Sequence, residues 1–516
     1  MAGGAGIEGQ RQAGVTTPAR VWLHAGKVVL PDPHGDDRYG HRVVEATVEC
    51  VGRDIAAVVE EDAASALRRA TASASSPAGA ASLRDFGADA LLSPAFVDTH
   101  VHVPMLYFRG LGSAFANRGN LVEDLFYAVE SRLQPGDVRA FARMGAYELL
   151  RAGTATVWDH YYSGVEVAHG LRDAGITGVV APTLQDVAGP GVTQLEAQWD
   201  ATFAIDADAT LCDADLFAAL GPHATDTVSP ALWTRVAEAA RAQGWPVHAH
   251  LAQSVEEWLR ARELANTSPV GILDQAGVLD AAPRLLLVHG IFLDDADLRR
   301  LRRAPVTLGF CPFSQLQFGF PADVMRWAGA GLPFYVATDC AACNDGTDVQ
   351  KELRLLAGLR TAFVGSGAEA AAFAETGRRN AALALDARRK ACFDAVPGWD
   401  APSSLLSRVW DIPGDLDPRL PVGQIAVGRR AHVAVWDASA PQFWPAIAPL
   451  RGLALGSPLP ALRGLYVSGR PVGGDAEADG FGLRSLVDGP EVREARQEAK
   501  ARFDALLERL RLPAMS

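Results

Sequence analysis

The pattern of hydrophobic and polar residues divides the chain into a long middle part and two shorter ends. Between about residues 92 and 410, short apolar runs alternate with amphipathic stretches such as SPALWTRVAEAARAQG and SVEEWLRARELA. The apolar runs are typical of buried strands: ALLSPAFVDTH, TATVWDHY, GVVAPTL, FAALGPH, PVHAHLA, LLLVHGI, VTLGFCP and FYVATDC. This alternation predicts an α/β fold with parallel strands, and eight candidate strands favour a closed (β/α)8 barrel of the TIM type. A doubly wound sheet is the alternative, although no dinucleotide-type glycine fingerprint follows the early strands.

Both ends of the chain carry β-type patterns instead. Residues 18–92 contain VWLHAGKVVL, VVEATVECVG and DIAAVV, and residues 415–480 contain IAVGRRAHVAVWD and LRGLYVSGRPVGG. We therefore expect one small discontinuous β domain from these two segments, with the barrel at residues 93–414 between them. Residues 63–82 are interpreted as a loop or weak helix, residues 1–17 as a disordered lead, and residues 488–511 as one amphipathic helix.

Composition narrows the classes of function. The chain has 516 residues, 49% of them hydrophobic, and 48 Lys and Arg against 61 Asp and Glu give a formal net charge of −13. This charge repels nucleic-acid phosphates and anionic membranes, and no basic cluster offsets it. Six cysteines are too few for a disulfide scaffold, no long apolar run is present, and the start lacks a signal-peptide pattern. We expect a cytoplasmic protein that acts on a small molecule and binds neither nucleic acid nor membrane.

Metal-ligand residues end several of the apolar runs. They are five of the 12 histidines and one aspartate: His100, His102, His223, His250, His289 and Asp339. Active sites of such barrels lie at the C-terminal ends of the strands, so these side chains are expected to meet. Histidines at 100 and 102 point to one side of a strand and can share a metal; two hydrogen-bonded histidines are the alternative. Imidazoles and a carboxylate around an open position are typical of catalytic Zn²⁺ or Fe²⁺. We expect His248 to support this site without binding the metal.

A known family resembles the chain through six motifs in order. They are SPAFVDTHVHVPMLYFRG, ALGPHATDTVSP, VHAHLAQS, LLLVHGIFLDDADLRRL, GFCPFSQLQFG and VATDCAACND. The resemblance is to the amidohydrolase superfamily, within the chlorohydrolase/aminohydrolase branch that holds adenosine-, guanine- and triazine-type aminohydrolases. It extends from about residue 20 to 475 and implies a (β/α)8 barrel with a small β-sandwich domain from both chain ends. It also implies a homo-oligomer, such as a dimer.

The resemblance further implies a role for each strand-end residue. One divalent metal, Zn²⁺ or Fe²⁺, is expected to have four ligands: His100, His102, His250 and Asp339. His289 is expected to orient the attacking water, and Asp339 to take the proton of that water. His223 falls where the branch places a substrate-contacting histidine, and Arg109 matches a recurrent Arg-Gly with a role in loop structure.

The distribution of lysines argues independently for a single metal. No lysine occurs between Lys27 and Lys351, so the barrel region up to Asp339 contains none. Binuclear members of the superfamily commonly bridge two metals with a carboxylated lysine. A bridge of that kind is therefore impossible here.

One motif departs from the pattern of the deaminating members. They carry His-x-x-Glu after the fifth strand, and the glutamate moves a proton from water to the substrate ring. Here the run is HLAQ, from His250 to Gln253. A carboxamide donates and accepts hydrogen bonds, but it does not release and recover a proton at neutral pH. Either the substrate needs no such proton, or another group carries it, with these candidates: His289, Asp226, Asp159 and His160.

We predict a metal-dependent hydrolase in which hydroxide formed at the metal attacks an sp² carbon of a small nitrogen-containing heterocycle and ammonia leaves. Asp339, His289 and Gln253 are the predicted catalytic residues, and His223 and Asp226 the predicted substrate-binding residues. The glutamine favours an alternative, the hydrolysis of a ring amide, an N-alkyl group or another leaving group. The alternative from another class is a metal- or ligand-binding relative without catalysis.

Some residues near the predicted site have weaker interpretations. Cys340 and Cys343 form a C-x-x-C motif without a second cysteine pair, which favours a pocket wall over a metal or redox site. Aromatic residues after the strands either line the pocket or fill the core: Trp158, Tyr161, Tyr162, Phe313, Phe318 and Phe320.

Overall fold

The computed structural model describes residues 20–32, 39–74, 82–109, 111, 122–317, 319–365, 367–395, 398–472 and 485–512. The predicted lead (residues 1–17), residues 18, 19, 33–38, 75–81 and 473–480 of the predicted β domain, and Phe318 lie outside the described residues. The described strands, β1–β17 in chain order, are Arg20–Pro31, His41–Val51, Asp54–Glu60, Ser82–Asp85, Ala90–Pro94, Phe96–Val101, Thr154–Tyr161, Thr177–Leu184, Leu216–Ala218, Gly221–Pro222, Val247–Leu251, Leu285–His289, Val306–Phe310, Phe334–Val336, Val433–Asp437, Leu462–Val467 and Arg470–Pro471.

Strands β6–β14 form a parallel barrel. Hydrogen bonds link β6, β7, β8 and β10 in that order, with β9 also on β8, and link β11, β12, β13 and β14 in a second group. Two bridges, between Leu220 and Val247 and between Val101 and Asp339, join the groups and close the barrel. Both β9 and β10 pair with β8 and share one position, so the barrel has eight strand positions. The predicted α/β fold with a (β/α)8 barrel is confirmed.

The fourth barrel position is less regular than its sequence pattern predicts. The run FAALGPH forms two short strands, β9 and β10, instead of one. Pro222 has no N–H to donate to a neighbouring strand. A Cβ at Gly221 would lie 2.5 Å from the carbonyl oxygen of Pro182, so β10 passes too close to β8 for a side chain there. The N–H of His223 still donates to the Leu184 carbonyl at 3.1 Å, which holds this strand end at the barrel edge.

The strands from both ends of the chain form one mixed sheet. Its order is β17-β16-β15-β5-β1-β2-β3, and β4 also pairs with β1. Buried side chains such as Leu23, Val48 and Val433 give this sheet a core of its own. Trp436 and Leu465 belong instead to the large core that surrounds the barrel. The sheet therefore rests on the barrel through β15 and β16.

The described α-helices, α1–α23 in chain order, cover the barrel and fill the connections. They are Ala63–Ala74, Tyr127–Glu130, Pro135–Arg151, Gly164–Ala174, Leu195–Ala207, Ala209–Cys212, Pro230–Gln243, Val255–Ala265, Pro269–Gln275, Val278–Ala281, Asp295–Leu301, Pro312–Gln317, Val324–Gly329, Ala341–Asn344, Val349–Gly358, Ala362–Gly365, Ala368–Thr376, Arg379–Ala395, Pro402–Leu406, Asp411–Gly414, Pro449–Leu455, Ser485–Asp488 and Pro490–Leu510. Helix α1 occupies the segment interpreted as a loop or weak helix. Within the described ranges, no helix combines the length and apolar character that a membrane crossing requires.

Candidate metal centre and active site

Ligand-type side chains from four barrel strands meet at the C-terminal edge of the barrel. The Nε2 atoms of His100 and His102 lie 3.5 and 3.4 Å from Oδ1 of Asp339, and Nε2 of His289 lies 4.0 Å from Oδ2. Possible donor atoms of His100, His250 and His289 lie within 4.8 Å of one another, as do those of His100, His102 and Asp339. The structure thus brings the predicted ligands and His289 together at one point.

The backbone holds two of these residues in an uncommon conformation. His289 and Asp339 have φ angles of +79° and +64°, in the left-handed region that residues other than glycine rarely adopt. The N–H of Asp339 donates to the His100 carbonyl at 2.9 Å, which ties two strand ends together. Such a conformation costs about 1–3 kcal/mol and persists where its surroundings impose it, commonly at functional sites.

Hydrogen bonds to carbonyl groups fix the ring orientation of two predicted ligands. Nδ1 of His102 donates to the carbonyl of His160 at 2.5 Å, and Nδ1 of His250 donates to the carbonyl of His223 at 2.9 Å. Because a carbonyl oxygen only accepts, the proton of each neutral ring is on Nδ1. Both Nε2 atoms therefore present a lone pair to the cluster, as a metal ligand requires.

His100 shows the clearest sign that the cluster fits a metal ion. Its Nδ1 lies 2.9 Å from Nε2 of His248, and both side chains are fully buried. Its Nε2 has no hydrogen-bond partner among the described residues. A buried polar atom without a partner costs about 1–3 kcal/mol, and coordination to a metal removes that cost. His248 thus contacts the predicted ligand His100 on the side away from the cluster.

Burial and mutual charge set the protonation of the cluster. Burial lowers the pKa of His289 to about 4 and the pKa of His250 well below its usual value, so both rings are neutral near pH 7. Burial tends to raise the pKa of Asp339, but the neighbouring side chains of His100 and His102 hold it well below its usual range. Burial tends to lower the pKa of His102, but Asp339 raises it above its usual value, so metal binding has to displace a proton from this ring. Neutral imidazoles beside an ionised carboxylate are the forms that bind divalent metals. The donor set is that of a divalent-metal site.

A narrow cavity of about 50 Å³ opens onto the cluster and adjoins an outer chamber of about 210 Å³. Besides the cluster itself, the inner cavity has this lining: Met105, Val122, Phe126, Tyr127, Glu130, His160, Tyr161, Tyr162, Thr183, His223, Gln253 and Cys340. The outer chamber is lined by Val122, Glu123, Tyr127, His223, Asp226, Thr227, Gln253, Ser254, Val255, Glu256, Arg260, Phe292 and Phe320. Four residues line both spaces, which therefore form one path to the cluster.

Gln253 stands where the two spaces meet, and a buried carboxylate holds its backbone. The N–H of Gln253 donates to Oε2 of Glu257 at 2.8 Å. The other oxygen of Glu257 accepts from Oγ1 of Thr225 at 2.6 Å, and Glu257 is fully buried. The start of helix α8 thus fixes the position of the glutamine. Glu257 is a positioning residue that the sequence analysis did not identify.

The two predicted substrate-binding residues line the path on the same side. Nδ1 of His223 lies 2.8 Å from Oγ1 of Thr227, and burial lowers the pKa of His223 to about 3, so this ring is neutral. Burial raises the pKa of Asp226 to about 7, although Nη1 of Arg260 lies 3.4 Å from its Oδ2. A carboxyl group with this pKa can exchange a proton near neutral pH.

The remaining candidate proton carriers differ in their access to the cavity. His160 lines the inner cavity, and its Nδ1 lies 3.1 Å from Oγ1 of Thr183. Asp159 is fully buried and accepts the N–H of Val103 at 2.7 Å. Among the residues that the structure describes, Asp159 is not part of either lining. The position of Asp159 therefore favours a structural role.

Glu130 is a cavity residue that the sequence analysis missed. It ends helix α2, is largely buried, and lines the inner cavity. Burial raises the pKa of Glu130 to about 7, against the lowering effect of a hydrogen bond from Tyr161. Tyr161 in turn lies 2.8 Å, oxygen to oxygen, from Tyr107. The only signal in the sequence was an acidic residue in the largely apolar stretch LFYAVE, which did not reveal this position.

Three further residues near the site are not among the described residues that line the two spaces: Arg109, Trp158 and Cys311. Arg109 forms a bidentate ion pair with Glu148, with its two Nη atoms 2.6 and 2.7 Å from the carboxylate oxygens. This pairing is consistent with a role in loop structure. Trp158 is buried in a core cluster of the barrel. Cys311 has its Sγ within 4.8 Å of donor atoms of His289 and Asp339, but burial raises the pKa of this thiol well above its usual value.

Comparison with known proteins identifies the family. The model of the amidohydrolase family matches residues 91–374. The chain belongs to the amidohydrolase family. It is also similar to the 5-methylthioadenosine/S-adenosylhomocysteine deaminase of Natronomonas pharaonis, with 29% identity over 413 residues that cover 79% of this chain and 86% of that one. Further curated relatives with deaminase names are matched over 61% to 65% of their own lengths.

Solved structures share the fold of this amidohydrolase. An adenosine deaminase from Xanthomonas campestris with bound zinc superposes with a TM-score of 0.71 at 22% identity, over 94% of this chain and 99% of that one. The triazine hydrolase of Arthrobacter aurescens gives a TM-score of 0.70 at 16% identity, with the same coverage. With the family match and the deaminase names of its relatives, the protein is a hydrolase of carbon–nitrogen bonds.

Proposed function

We propose that the protein is an aminohydrolase that replaces an amino group on an sp² ring carbon of a small nitrogen heterocycle and releases ammonia. The observation that carries the proposal is the convergence of the histidines and Asp339 at the base of a cavity with aromatic walls. The named activities of the curated relatives, which are deaminases of adenosine derivatives, support the same reaction.

We propose one Zn²⁺ per chain, with Fe²⁺ able to use the same donors. The ligands are His100, His102, His250 and Asp339. A metal of this kind, when bound, lowers the pKa of a water molecule toward neutrality. The zinc in the related adenosine deaminase structure supports the choice of metal.

Asp339 accepts a proton from the attacking water, and His289 orients this water. Asp339 is ionised, so it accepts this proton, and Oγ of Ser314 donates to its Oδ2 at 2.5 Å and fixes that oxygen in place. His289 is neutral, and its Nε2 lies 4.0 Å from the same oxygen. From this position the ring orients the water for attack on the substrate carbon.

The walls of the inner cavity fit an uncharged aromatic ring. Phe126, Tyr161 and Tyr162 supply flat apolar surfaces on which a ring can stack. Glu130 offers a carboxyl group to a ring N–H or an amino group. Among the described lining residues, Arg260 is the one arginine or lysine, and it is paired with Asp226 and with Glu123 at 2.8 Å. This pairing disfavours phosphorylated substrates.

Gln253 favours a second candidate function, in which water displaces a leaving group that needs no proton from this position. Its carboxamide can orient a substrate, but it cannot return a proton to a ring nitrogen. The similarity in fold to a triazine hydrolase is compatible with this reaction. In deamination, by contrast, Asp226 carries the proton, because it lines the outer chamber beside Gln253 and its pKa is raised to about 7.

We further propose that the protein works in the cytoplasm and acts on a small molecule. The six cysteines support this location, because all of them are free in the structure. A dimer is proposed from the family resemblance alone.

The test is a substrate panel on protein loaded with one equivalent of Zn²⁺. Ammonia and product mass are measured for adenosine-, guanine-, pterin- and aminotriazine-type compounds, and for chloro- and methoxytriazines. Ammonia release that is abolished in Asp339→Asn supports the aminohydrolase. Turnover of the chloro or methoxy compounds without ammonia from any amino compound supports the second candidate. Metal-loaded protein that turns over no compound contradicts both.

A further inference from the structure

Two cysteines lie side by side next to the metal centre. Cys340 directly follows Asp339, and the two sulfur atoms of Cys340 and Cys343 are 3.1 Å apart. The N–H of Cys343 donates to the carbonyl of Cys340 at 3.1 Å, so both residues belong to one tight turn. The thiols thus have the one-turn spacing from which an intramolecular disulfide can form with little backbone movement.

The cavity gives a small oxidant a route to one of these thiols. Cys340 lines the inner cavity, together with Gln253 and three of the four proposed metal ligands. Both cysteines are otherwise buried, with 2% and 6% of their surface exposed. A reagent therefore meets Cys340 from the substrate side, where bound substrate would block it.

We propose that Cys340 and Cys343 are a dithiol that a peroxide oxidises reversibly to a disulfide, and that this oxidation lowers the activity of the adjacent metal centre. Burial raises the pKa of the Cys340 thiol well above its usual value, so only a small thiolate fraction attacks hydrogen peroxide, which gives a sulfenic acid and one water. The sulfur of Cys343 then attacks the sulfenic sulfur, the S–S bond forms, and a second water leaves. Two thiols lose two electrons and two protons in all, and peroxide takes up both. A small dithiol reductant restores the pair by exchange.

The effect on the metal centre follows from the short connection to Asp339. A disulfide needs the sulfur atoms to approach by about 1 Å from their present separation. Asn344 resists movement of the turn, because its Nδ2 donates to the carbonyl of Thr338 and to Oε1 of Glu352, each at 2.9 Å. Part of the shift is then taken up at Cys340 and passed to the backbone of Asp339, which already has a positive φ angle. A misplacement of about 1 Å at a reacting centre costs up to about 100-fold in rate, so the smaller shift that reaches Asp339 should lower activity by less than that.

The test compares oxidised and reduced protein in a background that lacks two more accessible thiols, Cys212→Ser/Cys392→Ser. Zinc-loaded protein is treated with hydrogen peroxide, and intact mass, thiol count and peptide mapping are recorded before and after reduction. We expect the reversible loss of two thiols and a 340–343 disulfide. The matched variant that adds Cys343→Ser should form no disulfide and should trap dimedone at Cys340.

The predicted loss of activity rests on the proposed function. A second measurement, which needs no substrate, tests the inference separately. Release of zinc to a chromophoric chelator is measured with oxidised and reduced protein, and needs no substrate. We expect faster release after oxidation and recovery after reduction. The proposal is overturned if wild-type protein forms no 340–343 disulfide, or if the disulfide changes neither zinc release nor turnover. Peptide mapping is also carried out on the wild-type protein, so the test remains possible if a variant fails to fold.

Discussion

Replacing His248 by leucine should weaken metal binding although His248 is not a ligand. The side chain is fully buried, and its Nε2 lies 2.9 Å from Nδ1 of His100. This contact fixes the ring of His100 so that Nε2 faces Asp339 at 3.5 Å. Leucine fills much of the same space but removes the hydrogen-bond partner. The ring of His100 then loses its preferred orientation before the metal arrives.

The size of the effect follows from the nature of the lost contact. Partners of metal-bound histidines typically contribute about 10- to 100-fold to metal affinity. At 1.4 kcal/mol for each factor of ten, this is about 1.4–2.8 kcal/mol of binding free energy. The metal-free protein should also lose about 1–3 kcal/mol of stability, because Nδ1 of His100 stays buried without a partner. The two losses are distinct, since one is a binding and the other a folding free energy.

The assay is competition for Zn²⁺ against a chromophoric chelator, with denaturation of the metal-free protein measured in parallel. His248→Gln is the rescue variant, because its carboxamide can reach the position of Nε2, and it should recover most of the affinity. His24→Leu is the matched control, since His24 is equally buried and bonds Thr47 at 3.0 Å in the sheet domain. The reasoning fails if His248→Leu binds zinc as tightly as wild type, or if His24→Leu loses as much affinity.

Three further predictions concern the proton path, the substrate and the pH dependence of stability. Asp226→Asn should lower ammonia release from amino-heterocycles by about 10²- to 10⁴-fold, the usual contribution of a general acid–base group; an unchanged rate places the proton path elsewhere. Glu130→Gln should raise KM in steady-state assays and leave zinc affinity unchanged, and a loss of zinc would show that it acts on the metal centre instead. Burial raises the pKa of Glu352 from 4.5 to about 7, against hydrogen bonds from Phe313 and Asn344. The folded state therefore holds this proton more tightly, and the stability it contributes below pH 4.5 is lost as the pH rises through 7. Denaturation is measured at pH 5 and pH 8. The free energy of unfolding of Glu352→Gln, relative to that of wild type, should be higher at pH 8 than at pH 5 by on the order of 3 kcal/mol. The same pH dependence of stability in both proteins would contradict this.

The sequence predicts the barrel and the convergence of ligand-type residues because both depend on local pattern. Each of β11, β12 and the strand before Asp339 is an apolar run that ends at or near a ligand-type residue, and parallel strands place such ends at one edge. The run FAALGPH forms two short strands instead of one, because proline and the close approach at Gly221 interrupt it. A count of apolar residues does not detect either feature.

The rest of the site depends on contacts between residues far apart in the chain. Glu130 reaches the cavity because helix α2 packs beside Tyr161, which follows it by more than thirty positions. Glu257 holds Gln253 through a turn at the start of a helix, and its second bond is to Thr225. No periodicity encodes these pairings, because each side chain also fits an ordinary helix. The close thiols after Asp339 were visible as C-x-x-C, but their separation was not.

The proposed metal ligand His250 and the cavity residue Gln253 are held by separate parts of the backbone. His250 is fixed by the carbonyl of His223, which its own N–H and its Nδ1 both contact at 2.9 Å. Gln253 is fixed by Glu257, within the first turn of the next helix. A change at Gln253 therefore leaves the donors of the metal in place and alters only the group that meets the substrate. Zinc affinity should be the same in Gln253→Glu as in wild type, while the preference between amino and other leaving groups changes; if zinc affinity changes with it, the two functions are not separable.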